Sequence, residues 1–532
     1  MPIATPAAAQ HESSVKETIT SIVIAFVVAF VFRGFVLEPF LIPTGLMAPT
    51  LMGAHMRFTG PDTGFTWPVG PWHMVDSQTP EHVQRDVFVH DPTSQQEVHS
   101  GAEICRAGDR IFVLKSLYNI FDPRRFEVIV FKNPSNPQEN FIKRLTALPG
   151  EQVAIVDGDI FVRDLESLAP SEPREGPGAW ESSTWRIARK PERVQNSVWQ
   201  IVFDSRYTPL SSIKGSSNAF RSPWVGDKGW EIDGKQIYSY SGPSRTTLRW
   251  DSRLRPITDE CPYNEARNGR QGLRFPDSDV RISAGIKPAA PGQSMAFTLR
   301  ARRHEFRAEL TPTAVALRMR AAPTSDPSEE AWKTLTETPL STPLPAGVFT
   351  DVELWHADQA LSLYVGGSRV AYAEYNWTPA ERVQAATGST VEQATQEGSG
   401  VAAVANPGSY EQPQIFIDFE GGDFQLARVG VWRDLYYQPC NPAQQLAFGA
   451  TPRRMPALTK DQFFVCGDNS PMSYDARLWN RIDPWVASQI DPQVGVVDRE
   501  LLVGRAFFVY FPAPVPDKKL WMPDFGRLRF IW

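Results

Sequence analysis

Three short segments of this chain hold residues whose types and order could do chemistry. The first is Pro43-Thr44-Gly45-Leu46-Met47-Ala48-Pro49-Thr50-Leu51. The second is Phe141-Ile142-Lys143-Arg144-Leu145, followed by Leu148-Pro149-Gly150-Glu151. The third runs Gly467-Asp468-Asn469-Ser470-Pro471-Met472-Ser473-Tyr474-Asp475-Ala476-Arg477. Amide hydrolysis needs a nucleophile and a base to take its proton. A lysine is such a base only when neutral, which requires a desolvated position that lowers its pKa. Strand alternation puts Lys143 on the face of Phe141 and Leu145 and turns Arg144 the other way, which suits a buried amine. Taken singly, the segments say little. A lone strand lysine usually snorkels to solvent, Gly-Asp-Asn-Ser is usually a turn, and Asp475 with Arg477 would be a surface pair. His55 and His73 fall in expected loops, and nothing in their spacing builds a histidine triad.

The elements that must position these segments follow from composition and pattern. At 532 residues, with 42% hydrophobic and 21% charged, the chain reads as folded and as more than one domain. A net charge of −6 and the lack of a basic tract point away from nucleic acid. Forty-six prolines and 36 glycines favour many short strands and turns. Thr18–Phe32 is apolar and uncharged, Arg33 follows, and counted to Leu37 the run is about 20 residues, enough for a membrane-crossing helix. We therefore expect a transmembrane anchor over 18–37, with 1–17 as a cytoplasmic N-terminus. The residues after it, Glu38-Pro39-Phe40-Leu41, do not fit a signal-peptide cleavage site.

Beyond the anchor, strand signals appear at Arg110–Lys115, Phe126–Lys132, Phe141–Leu145 and Gln152–Val156. Asp157-Gly158 then turns the chain into Ile160–Arg163 as a hairpin. The expected domains are 38–165 as a first part, 196–440 as a β-sandwich-like insertion, 455–512 as a second part and 513–532 as a tail packing back on the body. Residues 165–195 read as a linker and 385–409 as a mobile loop. Within the insertion, short turn-bounded strands recur at Ala296–Arg300, Ala314–Arg320, Asp351–Trp355, Ala360–Val365, Ser368–Tyr372, Gln414–Phe419 and Gln425–Trp432, with Gly366-Gly367 as a hairpin turn. Cys105, Cys261, Cys440 and Cys466 form no Cys-x-x-Cys pair, so no metal site is expected. Spacing leaves a Cys261–Cys440 disulfide and four free thiols both open.

In order and type, the three segments resemble the motifs of the type I signal peptidases, membrane-anchored Ser-Lys endopeptidases. Gly108-Asp109-Arg110 and Pro123-Arg124-Arg125-Phe126-Glu127 stand in the expected order as well. The resemblance covers roughly 18–165 and 455–512, and the long insertion is similar to those of planctomycete-type signal peptidases. It implies a mostly β fold: a transmembrane helix, then a signal-peptidase-like β-domain interrupted by the sandwich. It implies Lys143 as general base, Ser473 as the serine that orients it and Thr44 at the oxyanion-hole position. Asp475 and Arg477 become a supporting ion pair, with Gly467, Asp468 and Asn469 framing the site. The implied partners are membrane lipid and the signal peptides of preproteins, at the outer face of the cytoplasmic membrane, with no cofactor. Leu46 stands where the family keeps its nucleophilic serine. An isobutyl group has no lone pair to attack a carbonyl, so little or no cleavage is expected. Two alternatives are a signal-peptide or protein binder that does not cut, and an anchored glycan- or protein-binding module working through the insertion. Trp355, Tyr364, Tyr372 and Trp432 are candidates for such a face, although aromatic residues on sandwich strands are more often core.

Overall fold

A computed structural model describes residues 15–71, 83–209, 220–265, 272–323, 331–396, 398, 400–516 and 521–532. The fold is mostly β. One antiparallel sheet interleaves distant parts of the chain. Its strands lie in the order Leu37–Leu41, Arg110–Lys115, Leu502–Phe511, Val128–Asn133, Asn136–Ala147, Gln462–Cys466 and Val497–Asp498, and Arg529–Phe530 also pairs with Leu502–Phe511. Arg144 is opposite Cys466 and Leu145 opposite Val465. This pairing brings the Lys143 segment alongside the start of the Gly467–Arg477 segment. Apolar side chains alternate to both faces of the sheet. Phe131, Leu145 and Val465 enter one core, while Val113, Val128 and Val509 enter another.

Between the two halves of this sheet the chain builds a sandwich. Its first sheet runs Trp230–Glu231, Ile237–Tyr240, Phe424–Arg433, Val280–Pro288, Thr350–Ala357, Ala360–Val365 and Ser368–Glu374. Its second runs Trp224–Gly226, Arg245–Trp250, Gln414–Glu420, Ser294–Ala301, His304–Leu310, Ala314–Ala321 and Lys333–Pro339. The inner faces share one core, to which Ile282, Leu354, Leu363 and Val431 come from the first sheet and Phe297, Leu299 and Ile417 from the second. The Gln414–Glu420 strand shows the sequence logic: Ile415, Ile417 and Phe419 are buried and the residues between them are not. Burying each such side chain contributes roughly 1.5–3 kcal/mol.

Several expectations need correction. The apolar N-terminal segment is a helix, Val15–Phe35. Among the described residues, however, no helix is long and apolar enough to cross a membrane. The helix takes in Lys16, Glu17 and Arg33, so its uncharged part, 18–32, reaches only about 22 Å at 1.5 Å per residue, against a hydrocarbon core of about 30 Å. Most of the expected cytoplasmic segment 1–17 lies outside the described residues, as does His73. The expected linker 165–195 is structured. Helix Pro177–Glu181, strand Arg186–Ile187 and helix Glu192–Val198 bury Trp180, Ile187 and Val194 in cores they share with the body. The expected mobile loop at 385–409 begins inside helix Pro379–Thr387 and continues through Val391–Ala394. Both helices start on a full capping box, from Thr378 with Glu381 and from Thr390 with Gln393. Cys261 and Cys440 are buried free thiols, as are Cys105 and Cys466.

Candidate active site

Leu46 sits in a single 3-10 turn, Gly45–Met47, and is half-buried. The Gly467–Arg477 segment grips this turn from one side. Asn469 donates its backbone N–H to the Leu46 carbonyl at 3.1 Å and its side-chain Nδ2 to the Gly45 carbonyl at 2.8 Å. The two segments approach so closely at Gly467 that a Cβ there would collide with Ser473 Oγ and crowd the Leu46 carbonyl oxygen. Only glycine fits. Leu46, Gly467 and Ser473 therefore meet at one point.

Lys143 reaches the same place from the adjacent strand, one residue before the Arg144–Cys466 pair. It is 1% exposed, and its Nζ lies 5.5 Å from the centre of the Phe141 ring. Burial pushes its pKa down to about 8. The carboxylates of Asp475 and Asp468 pull it back up, and Arg477 pushes it down again. Ser473 is 2% exposed, and its Oγ has no hydrogen-bond partner. A buried hydroxyl without a partner carries a desolvation cost of about 1–3 kcal/mol.

Two buried ion pairs brace the site. Arg477 clasps Asp475 with Nε and Nη2, each at 2.9 Å, and Asp475 accepts the Gly467 N–H at 2.8 Å. Burial alone would raise the Asp475 pKa, but the Arg477 charge and its hydrogen bonds outweigh that and hold it below the usual value. Arg144 takes Asp468 in a second fork, at 2.8 and 2.6 Å, with both side chains fully buried. Its Nη1 also donates to the carbonyls of Phe126 and Trp532 at 2.8 and 2.7 Å, so the tail does pack onto the site. Thr50 donates its hydroxyl to Asp468. Of the residues singled out in the sequence, Thr44 stands apart: it is exposed and its side chain makes no capping bond.

Residues 86–190 match the family described as signal peptidase, peptidase S26. The chain is type I signal peptidase-like. The matched span includes Lys143 and Arg144, while the Leu46 turn and the Gly467–Arg477 segment lie outside it. Signal peptidase I of Pseudomonas fluorescens is 29% identical over 151 residues, covering 27% of this chain and 38% of the relative. Signal peptidase I of Pseudomonas aeruginosa is 30% identical over 158 residues, covering 30% and 40%. The chain thus spans less than half the length of these relatives. Among solved structures, the carbohydrate-binding module CBM66 from Bacillus subtilis aligns with 40% of this chain and 95% of its own, at 10% identity and a TM-score of 0.22. A likeness that low carries no argument.

The signal-peptidase-like site has further members that sequence reasoning missed, and they come from the sandwich. Asn264 exchanges two side-chain hydrogen bonds with Asn469, each 2.8 Å. The Tyr263 ring lies so near Gly45 that a Cβ there would overlap it, and its hydroxyl donates to the Ala54 carbonyl at 2.7 Å. The Gln438 N–H donates to Ser470 Oγ at 2.7 Å, and its carbonyl accepts from Arg477 at 3.0 Å. No spacing signal could have found these residues, because each contacts the site across a long stretch of chain.

Proposed function

We propose that this chain is a signal peptidase I-like protein that engages the signal peptides of preproteins with little or no cleavage. The observation that carries this reading is the leucine in the turn whose carbonyl abuts Gly467 next to Ser473, on the segment that runs on from the strand paired with that of the buried Lys143. In the family reaction a serine hydroxyl attacks the scissile carbonyl carbon while the lysine amine takes its proton. The same proton then goes to the leaving amine as the acyl–nitrogen bond breaks. Here the base and its surroundings support the second half of that exchange, and the attacking oxygen is absent. Thr44 is no substitute, because it is exposed at the start of the Gly45–Met47 turn while the Lys143 amine is buried. In this reading Ser473 and Thr44 occupy the family's lysine-orienting and oxyanion-hole positions, although the Ser473 hydroxyl makes no hydrogen bond to Lys143 in the free chain, and Asp475 with Arg477 keeps the local field fixed.

The same reading puts the body at the outer face of the cytoplasmic membrane, with the Val15–Phe35 helix in contact with lipid. In support, Ile19, Val23, Phe26 and Phe30 of that helix are all more than half exposed. The test uses purified chain with a radiolabelled preprotein. The native chain is expected to retain the preprotein in a pull-down without processing it, and Leu46→Ser to process it at least 100-fold faster. Clear processing by the native chain defeats the proposal, as does failure of both forms to retain preprotein. Co-flotation with anionic lipid vesicles that is lost when residues 1–35 are removed tests the lipid contact.

A further inference from the structure

A second candidate site lies on the outer face of the sandwich, away from the Leu46 turn. Cross-strand register lines up Trp432, Arg281, Trp355, Ser362 and Tyr372 across five neighbouring strands. The Arg281 guanidinium stacks between the two indoles, 4.6 Å from the Trp432 ring and 5.7 Å from that of Trp355. Trp355 then meets Tyr364 at 4.5 Å between ring centres. The helix Glu192–Val198 runs over this aromatic face and encloses a cavity of about 310 Å³, lined by Glu192, Gln195, Trp355, Asp358, Tyr364 and Tyr372 among others.

The electrostatics of the cavity limit what it can take. Its charged groups are paired with one another: Lys190 with Asp358 at 2.5 Å, Arg369 with Glu192 at 3.4 Å, and Arg189 with Glu374 at 3.0 Å. Gln195 is left over. It is 4% exposed, and neither Oε1 nor Nε2 of its amide has a partner. A buried amide with both ends unsatisfied costs free energy until something donates to one end and accepts from the other. Tyr372, at the open end, is 41% exposed.

We infer that this cavity binds a short neutral saccharide. A sugar ring has an apolar C–H face to lie on Tyr372, over whose ring Arg369 stacks at 5.0 Å, and hydroxyls that donate and accept at once, as the Gln195 amide requires. Paired charges disfavour an ionic ligand. The volume falls at the small end of ligand sites, roughly 300–1,000 Å³, which suits one or two rings. An extended peptide needs a free strand edge. The strands carrying Trp355 and Tyr364 are hydrogen-bonded on both sides, and in this sheet only the terminal strand Ser368–Glu374 borders the cavity with a free edge, so peptides are included in the test.

The test is titration calorimetry on the full chain with a panel of neutral mono- to tetrasaccharides, and with peptides, alongside Tyr372→Ala, Gln195→Ala and Phe121→Ala. Phe121 is exposed and lies elsewhere on the surface. The expected result is binding of at least one panel member, weakened tenfold or more by Tyr372→Ala and by Gln195→Ala and unchanged by Phe121→Ala. If Gln195→Ala fails to fold, the exposed Tyr372→Ala decides alone. Three results overturn the inference: no panel member binds, Tyr372→Ala binds as tightly as the native chain, or only charged sugars or peptides occupy the cavity.

Discussion

Asn264 and Asn469 face each other with two reciprocal side-chain hydrogen bonds of 2.8 Å, 205 residues apart in sequence. Asn469 also holds the Leu46 and Gly45 carbonyls. The insertion therefore reaches into the signal-peptidase-like site through the Asn264 amide as well as through Tyr263 and Gln438. Asn264→Ala leaves the buried Asn469 amide short of one donor and one acceptor. It is expected to destabilise the chain by about 1–3 kcal/mol. Amide exchange over 44–50 should speed up more than exchange over the sandwich strands. Equal change in both regions would mean that Asn264 serves only global stability.

Arg144 and Asp468 make a second long-range tie, fully buried at both ends. Replacing one partner of such a pair leaves the other charged and without its counterion in the interior, at a cost of about 3–5 kcal/mol. Arg144→Met also removes the donor to the Phe126 and Trp532 carbonyls. We expect chemical denaturation to show a loss in that range, and the C-terminal tail to become the first target of limited proteolysis. A loss below about 1 kcal/mol would show that the pair can be solvated and is not sealed.

Much of the strand pattern was legible because burial on one face writes a two-residue period into the sequence. Ala360–Val365 and Ser368–Glu374 flank Gly366-Gly367, both with positive φ, as a hairpin turn requires. Asp157-Gly158 turns the Glu151–Val156 strand into Asp159–Asp164 by the same means. The short strands Met56–Thr59 and Thr66–Val69 are too brief to show a period. The helices in 177–198 owe their order to buried side chains such as Trp180 and Val194 rather than to local propensity, so a polar, proline-rich composition hid them. Motif order proposed Lys143, Ser473, Asp475 and Arg477, and the structure buries all four. Asn264 and Gln438 could not be named from it, because their roles exist only once the sheets are assembled.

Lys143 should also leave a signature in stability. Its pKa falls from 10.5 to about 8 on burial, so the unfolded chain binds the proton more tightly than the folded one. Below pH 8 both states are charged and folding carries the full penalty, about 3 kcal/mol at 1.4 kcal/mol per unit. Above pH 10.5 both states are neutral and the penalty is gone. The native chain should therefore gain stability as pH rises from 8 to 10.5, relative to Lys143→Met. The variant should be the more stable of the two at pH 7. Parallel stability curves for the two chains across that window would show that Lys143 is solvated.

With Lys143 as the proposed base, its pKa should govern any activity restored at position 46. Leu46→Ser supplies a hydroxyl in the Gly45–Met47 turn, and proton transfer to the Lys143 amine requires the amine to be neutral. Activity of that variant at low substrate should rise about tenfold per pH unit below about 8 and level off above it, following the depressed Lys143 pKa. Adding Lys143→Met should abolish the activity. Ser473→Ala tests the orienting role proposed for this hydroxyl: a lower kcat with KM little changed supports it, and unchanged kinetics, in keeping with an unpartnered Oγ in the free chain, removes it. An activity in Leu46→Ser that is flat from pH 6 to 10, or that survives the loss of Lys143, would mean that another group takes the proton.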